Sequence, residues 1–274
     1  MTPIYPMFEN QYRSVWLSDI HLGYKGCKAE FLLDFLKTVD CERLYLVGDI
    51  VDVWSMKKNV YWPQLHSDVI RTILGKAKAG VKVIYVPGNH DEMMRDYTGM
   101  HFGNVKVRQN YLHTTADGRR MLVMHGDEFD NVIQCSRFAS LLGSVGYDIL
   151  LYSNRIVNHL RRKMGFPYWS LATFLKTRVK NAMQHVREFE QAAVYEAKRH
   201  NADGVICGHI HHAEANEIEG ILYCNTGDWV ENCTALVEQH DGEIKLLHWS
   251  ERKKCIKRVA PDEIDVKQKI ARVA

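Results

Sequence analysis

The sequence predicts an α/β (α+β) fold in which strands form a mixed sheet or a two-sheet sandwich with helices on the outside. Three observations favour this fold class. Short apolar runs recur along the chain and end abruptly in Gly, Asp, Asn or His, which is typical of strands buried on both faces. Stretches with helical spacing separate the first of these runs. Later runs are joined by Asp-Gly turns in the manner of β-hairpins.

The predicted strands and helices can be assigned to particular segments. The apolar runs lie at residues 14–19, 44–49, 83–91, 121–127 and 204–209. Helical spacing of apolar side chains occurs at Phe31, Leu32, Phe35 and Leu36, and again at Val69, Ile70, Ile73 and Leu74. The Asp-Gly turns at 117–118 and 241–242 predict two hairpins in the second half of the chain.

The recurrence of strand-like runs stops at residues 131–200, a segment with helical character. Within it, apolar residues between 171 and 193 recur at spacings of three and four. We interpret this segment as a helical cap inserted into a single domain that spans residues 1–249. The charged C-terminal tail, residues 250–274, is expected to be a short peripheral helix or partly disordered.

Composition limits the class of protein. The chain has 274 residues, 46% of them hydrophobic, which is enough for a full core. Its seven cysteines include no CxxC pair and fit reduced thiols. No signal peptide or apolar run of membrane-spanning length is evident, so we expect a soluble, cytoplasmic protein. The net charge of +3 is too small to imply nucleic-acid binding.

Polar residues with metal-binding side chains follow each apolar run. Ligands of open α/β sheets bind beyond the carboxyl ends of the strands, so these side chains should converge. An extended backbone would also direct Asp19 and His21 to one side, and His209 and His211 likewise. The candidate ligands are Asp19, His21, Asp49, Asn89, His125, His209 and His211.

The donor types indicate which ions could bind. Mixed nitrogen and oxygen ligation suits Mn²⁺ first, with Fe²⁺, Zn²⁺, Co²⁺ or Ni²⁺ as alternatives, whereas Mg²⁺ and Ca²⁺ prefer more oxygen. Seven ligands exceed what one catalytic ion usually takes from protein, so two divalent ions are predicted. A single Asp or His after a strand is commonly structural, as a helix cap for example. The combination of five such motifs favours the metal centre.

The chain resembles the calcineurin-like metallophosphoesterase superfamily. The matching motifs are SDIH at 18–21, VGDIVD at 47–52, PGNHD at 87–91, MHGD at 124–127 and GHIH at 208–211. The resemblance implies a β-sandwich flanked by helices. One metal would be held by Asp19, His21, Asp49 and His211, and the other by Asp49, Asn89, His125 and His209. Asp49 would bridge the two ions.

The same resemblance implies a role for His90, which would donate a proton to the leaving oxygen or contact the phosphate. Asp91 would orient the His90 ring and favour its charged form. The alternative is that His90 is only a surface residue of the first turn after its strand.

Within the superfamily the chain most resembles the UDP-2,3-diacylglucosamine diphosphatases of lipid A biosynthesis. The likeness rests on SDIHL at 18–22, GDIVDVW at 48–54, MHGDEFD at 124–130 and the helical insertion. It implies hydrolysis of a pyrophosphate to UMP and 2,3-diacylglucosamine 1-phosphate. That family usually has GNRD where this chain has GNHD at 88–91. A paralogous enzyme acting on another phosphodiester or phosphomonoester, and a non-catalytic scaffold of the same fold, therefore stay open.

The cap combines basic and large apolar residues. Residues 149–187 contain eight Lys or Arg and no Asp or Glu. Such a segment could bind an acylated phosphate substrate or the cytoplasmic face of the inner membrane. A solvated charged face is the plain alternative, and nucleic acid is a third interpretation. The candidate substrate-binding residues are Arg161, Arg162, Lys163, Lys176, Arg178 and Lys180.

Overall fold

The computed structural model describes residues 10–131, 180–250 and 254–259, with backbone only for residues 131, 180–184 and 254–259. The strands in these ranges are β1 (Gln11–Leu17), β2 (Asp40–Val47), β3 (Lys82–Val86), β4 (His101–Phe102), β5 (Val105–Val107), β6 (Tyr111–Thr114), β7 (Arg120–Val123), β8 (Gly204–Cys207), β9 (Glu214–Ile218), β10 (Ile221–Asn225), β11 (Thr234–Glu238), β12 (Ile244–His248) and β13 (Lys254–Val259). The α-helices are α1 (Ala29–Thr38), α2 (Val53–Lys58), α3 (Gln64–Lys78) and α4 (Lys180–Arg199). Two 3₁₀ turns cover Glu92–Tyr97 and Asp127–Asn131.

The strands form two sheets, as the sequence predicted. The first has the order β13-β12-β11-β1-β2-β3-β5-β4, and the second has the order β6-β7-β8-β10-β9. Strands β1, β2, β3 and β5 are parallel, and so are β7, β8 and β10. The two predicted hairpins are confirmed, because β6 pairs with β7 and β11 with β12 in antiparallel fashion.

Three apolar clusters hold the layers together. Alternation along β1 directs Val15 and Leu17 toward the cluster that includes α1 and α3, whereas Trp16 points into the cluster between the two sheets. On the outer face of the second sheet, Phe189 and Ala193 of α4 pack with residues of β7, β8 and β10. The sandwich flanked by helices is thus confirmed.

The amphipathic helices α1 and α3 bury most of their predicted stripes. Leu32, Phe35 and Leu36 of α1 are buried, as are Val69 and Ile73 of α3. Leu74 was included in the second group of apolar residues but is 53% exposed.

The C-terminal tail differs from the expectation of a helix or disorder. Residues 254–259 form β13, which pairs antiparallel with β12 and extends the first sheet by one strand. Within the predicted cap, the described part is α4, which lies in the C-terminal portion of the predicted amphipathic helix and beyond it.

Among the described residues, no helix is both long enough and apolar enough to cross a membrane.

Candidate metal centre

The predicted ligands lie in the loops that follow five parallel strands. Asp19 and His21 follow β1, Asp49 follows β2, Asn89 follows β3, His125 follows β7, and His209 and His211 follow β8. Backbone hydrogen bonds join these loops: the Asp19 amide donates to the Gly48 carbonyl at 3.0 Å, and the Gly208 amide donates to the His125 carbonyl at 3.1 Å. The two sheets therefore contribute to one edge of the sandwich.

The backbone at these positions is not extended. Left-handed φ angles occur at Asp19 (50°), His21 (54°), Asp49 (55°), His209 (69°) and His211 (53°). The expectation that an extended backbone brings Asp19 and His21 to one side was therefore wrong. The chain turns sharply at each residue, a conformation that costs free energy in non-glycine residues and is typical of functional sites.

The side chains nevertheless converge, in groups that share Asp49 and His21. Ligand atoms lie within 4.8 Å of one another in the trio Asp19, His21 and His211, in the trio Asp49, His125 and His209, and in the trio His21, Asp49 and His90. Asp49 lies between the outer groups, with Oδ2 at 3.8 Å from His21 Nε2 and Oδ1 at 3.5 Å from His125 Nε2.

The donor atoms have the hydrogen-bonding state that metal ligands need. His125 Nδ1 lies 2.9 Å from the Val47 carbonyl oxygen, so Nδ1 donates this hydrogen bond and Nε2 is the nitrogen that could bind a metal ion. Nε2 of His125 and Oδ1 of Asn89 are buried and have no hydrogen-bond partner within the described part of the chain. Buried polar atoms without partners are rare, so these two fit ligands of a cation.

The electrostatics of the centre also favour cations. Burial would raise the pKa of Asp49, but the imidazoles of His125, His21 and His90 outweigh it and hold that pKa well below its usual range. Conversely, burial would lower the pKa of His125, yet Asp49 and Asp19 raise it well above the ordinary value. Without metal ions the carboxylates thus favour protonated imidazoles. Bound divalent ions would supply the same positive charge.

Glycines keep the ligand loops close together. A Cβ on Gly88 would lie 2.7 Å from both the Asp49 amide nitrogen and His125 Cδ2. Gly48 has φ of +76°, and a side chain there would collide with the His125 ring. Both positions therefore require glycine for the approach of β2, β3 and β7.

His90 is oriented by Asp52, not by Asp91 as predicted. Nδ1 of His90 lies 2.9 Å from Asp52 Oδ1, and Nδ1 of His21 lies 3.2 Å from Asp52 Oδ2. Asp52 also accepts hydrogen bonds from the amide and hydroxyl of Ser55, at 2.7 and 2.8 Å. One carboxylate thus fixes the tautomer of both rings, with Nδ1 protonated and Nε2 facing Asp49.

Asp91 has a different task. Its carboxylate is buried and accepts hydrogen bonds from the amides of Gly88 (2.7 Å) and Ile50 (2.8 Å) and from the Tyr85 hydroxyl (2.5 Å). These bonds tie the loop after β3 to the loop after β2. Sequence reasoning chose Asp91 because it adjoins His90, and missed Asp52. The signal for Asp52 was the second carboxylate of VGDIVD at 47–52.

The second sheet and α4 support the His209 side of the centre. Phe189 of α4 is fully buried and lies 6.1 Å from the His209 ring, centroid to centroid. His209 Nε2 is 2.7 Å from Oδ1 of Asp130, in the second 3₁₀ turn. Sequence reasoning had not singled out Asp130.

The predicted substrate-binding residues of the cap are not placed by the structure. Arg161, Arg162, Lys163, Lys176 and Arg178 lie outside the described residues, and Lys180 is described only by its backbone at the start of α4.

Comparison with known proteins identifies the family. The family model for calcineurin-like phosphoesterases matches residues 12–213. UDP-2,3-diacylglucosamine hydrolase of Neisseria gonorrhoeae is 25% identical over 84% of this chain and 95% of its own length. The same-named protein of Psychromonas ingrahamii is 23% identical, with coverage of 84% and 94%. The structure of the E. coli phosphoesterase Yfce is similar over 91% of this chain and 99% of its own, with 15% identity and a TM-score of 0.47.

The chain therefore belongs to the calcineurin-like phosphoesterase family and is a metal-dependent hydrolase.

Proposed function

We propose that this chain hydrolyses a phosphoester at a centre of two divalent ions, most simply Mn²⁺, held by the residues named above. The single observation that carries the proposal is the convergence of Asp19, His21 and His211 with Asp49, His125 and His209 around a shared carboxylate. When bound, the two ions supply positive charge for the phosphoryl oxygens and activate water for attack.

In this proposal the residues of the chain have separate tasks. Asp49 contacts both groups of donors and would bridge the ions, and Asn89 adds an amide oxygen to the second site. His90 is a general acid held by Asp52, with Nε2 at 3.9 Å from Asp49 Oδ2 and its ring 26% exposed toward solvent. Burial lowers the pKa of His90, but Asp52 and Asp49 outweigh it and raise the pKa above the ordinary value. In the metal-free protein the charged ring is thus favoured, and this is the form that can donate a proton to a leaving oxygen.

The proposed substrate is UDP-2,3-diacylglucosamine, cleaved at its diphosphate to UMP and 2,3-diacylglucosamine 1-phosphate. Support comes from relatives of that name that match over nearly their full length. The histidine of GNHD, where those diphosphatases usually have arginine, favours a second candidate, a paralogous enzyme that acts on another phosphodiester or phosphomonoester.

The decisive experiment compares substrates at a fixed Mn²⁺ concentration. UDP-2,3-diacylglucosamine, UDP-glucose, a generic phosphodiester and a phosphomonoester would be tested with wild-type protein and with Asp49→Asn. Preference for the acylated nucleotide supports the first candidate, and preference for a soluble ester supports the second. Full activity in excess chelator would refute the metal-dependent mechanism.

We also propose that the basic cap selects substrates that combine phosphate with an acyl chain. Charge reversal at Arg161 and Arg162 should impair hydrolysis of the acylated nucleotide far more than hydrolysis of a small chromogenic ester. Lys78→Glu with Lys82→Glu is the matched control, because it makes the same change in charge at exposed residues of α3 and β3. Equal loss with both substrates, or the same effect in the control, would refute this role. Peripheral contact of the cap with the inner membrane stays a prediction.

A further inference from the structure

A large aromatic side chain lies beside the proposed general acid and is partly open to solvent. Trp54 is 41% exposed, and its indole ring lies 4.6 Å from the His90 ring, centroid to centroid, at an angle of 33°. His90 in turn packs edge-on against His21 at 4.7 Å. One part of the indole is thus covered by His90, and the rest is open to solvent beside the centre. Leaving a tryptophan this exposed forgoes much of the stability its burial would provide.

The position of Trp54 is fixed by the same groups that fix His90. Asp52, which binds Nδ1 of His90, is also the N-cap of α2 through the Ser55 amide. The amide of Val53 donates to the His90 carbonyl at 3.2 Å. The backbone on both sides of Trp54 is therefore tied to His90 and to Asp52, which keeps the indole next to the proposed acid.

Two cationic side chains follow Trp54 on its helix. Lys57 and Lys58 lie three and four residues after Trp54, on the same side of the helix, and both are exposed. Residues 53–66 contain no Asp or Glu. An aromatic platform with ammonium groups nearby matches a ligand that joins a planar ring to phosphate.

We propose that Trp54 stacks the planar ring of the substrate, a nucleobase in the case of a nucleotide, and so determines which phosphoesters are cleaved. This inference rests on the proposed hydrolysis of phosphoesters at the adjacent centre. The competing explanation is that Trp54 only packs against His90 and touches no substrate.

The first test uses two phosphodiesters with the same leaving group. Bis(4-nitrophenyl) phosphate keeps an aryl group after cleavage, whereas methyl 4-nitrophenyl phosphate keeps a methyl group. Stacking on an aromatic side chain is worth about fivefold to a hundredfold in binding. Trp54→Ala should therefore lower the aryl-to-methyl ratio of kcat/KM by about that factor, and Trp54→Phe should retain most of it. Tyr195→Ala is the control, since Tyr195 is an exposed aromatic residue of α4.

The second test measures binding without turnover. Isothermal titration of Mn²⁺-loaded protein with UMP and with ribose 5-phosphate compares ligands that differ by the base. Wild-type protein should bind UMP more tightly, and Trp54→Ala should remove most of the difference.

The outcomes separate the two proposals. If the wild type hydrolysed neither diester but still bound UMP more tightly than ribose 5-phosphate, only the proposed function would be overturned. Equal losses for both diesters in Trp54→Ala, together with equal affinity of the wild type for UMP and ribose 5-phosphate, would overturn the role of Trp54.

Discussion

Asp49 is the residue on which the proposed centre depends most, because its carboxylate lies near His21 on one side and His125 on the other. We expect Asp49→Asn to remove bound metal and to reduce turnover by more than about 100-fold, since even outer-shell changes at metal sites cost about 10–100-fold. Metal content by plasma mass spectrometry and turnover on one phosphodiester would be measured together. Asp96→Asn, at an exposed carboxylate, is the matched control. Retention of two ions by Asp49→Asn would contradict the bridging role.

The pairing of Asp52 with His90 predicts an effect that depends on the leaving group. His90→Ala should keep its metal and lose about 10²–10⁴-fold in kcat on an ester with a poor leaving group, because proton donation typically contributes that much. The loss should be small with a 4-nitrophenolate leaving group, which departs without a proton. Asp52→Asn should show a weaker form of the same pattern. Equal losses with both leaving groups would argue against acid catalysis by His90.

At this scale the structure brings together the side chains that the sequence selected as candidate ligands, but it places His90 against Asp52 and not against the predicted Asp91. These side chains could be selected because each follows an apolar strand, and the strand ends of both sheets meet at one edge of the sandwich. The partner of His90 could not, because Asp91 is adjacent in sequence while Asp52 is brought near only by the parallel pairing of β2 with β3. Adjacent residues commonly point in different directions, so proximity along the chain was a poor guide.

Among the elements, α4 links the core of the second sheet to the centre. Phe189 packs against Phe129 at 5.5 Å and also lies near the His209 ring. We expect Phe189→Ala to lower the free energy of unfolding by about 3–5 kcal/mol, the usual cost of removing a buried phenylalanine. Urea denaturation would measure it. Tyr195→Ala, on the exposed side of the same helix, should change stability by no more than about 0.5 kcal/mol. Similar values for the two variants would show that α4 does not pack as described.

The edge strand β13 shows where element prediction fails. Its sequence, KCIKRV, changes between cationic and apolar residues only three times in six positions and lies in a charged region, so no strict alternation marks a strand. It is ordered by backbone pairing with β12, including a shift of register between Leu246 and Leu247. Pairing of this kind depends on main-chain groups that every residue carries, so the pattern of side chains gives little indication of it.

Across the whole molecule, a buried polar network connects the two sheets. His113 of β6 contacts Glu238 of β11 through Nε2 at 2.9 Å and the Tyr45 hydroxyl of β2 through Nδ1 at 2.8 Å. Burial lowers the pKa of His113 despite the attraction of Glu238. A neutral ring satisfies both contacts, with Nε2–H donating to Glu238 and Nδ1 accepting from the Tyr45 hydroxyl.

A lowered pKa in the folded state means that stability is present above the unfolded pKa of about 6.5 and is lost as the pH falls below it. Relative to His113→Gln, which keeps a donor and an acceptor but does not titrate, the wild type should lose up to about 1.4 kcal/mol of unfolding free energy between pH 7.5 and 5.5. Urea denaturation of metal-free protein at both pH values measures the difference. If the unfolding free energy of the wild type instead rose relative to that of His113→Gln as the pH fell, His113 would be charged in the folded protein.

The residue pattern left a mixed sheet or a two-sheet sandwich open, with two antiparallel pairs fixed by Asp-Gly turns, and the family resemblance implied the sandwich that the structure shows. The network around His113 was not predictable. His113, Glu238 and Tyr45 lie on three strands separated by many residues, and an isolated polar residue in a strand gives no sign of what it will face.

The left-handed φ angles at Asp19, His21, Asp49, His209 and His211 have a consequence for laboratory evolution. Such a conformation costs an ordinary residue roughly 1–2 kcal/mol, and glycine adopts it freely. A library of variants screened only for heat resistance should therefore become enriched in glycine at these five positions, and the selected proteins should melt at higher temperature while losing their metal. Screening for thermal tolerance without a simultaneous assay of turnover would thus remove the candidate metal ligands first, while the residues of the sandwich stay unchanged.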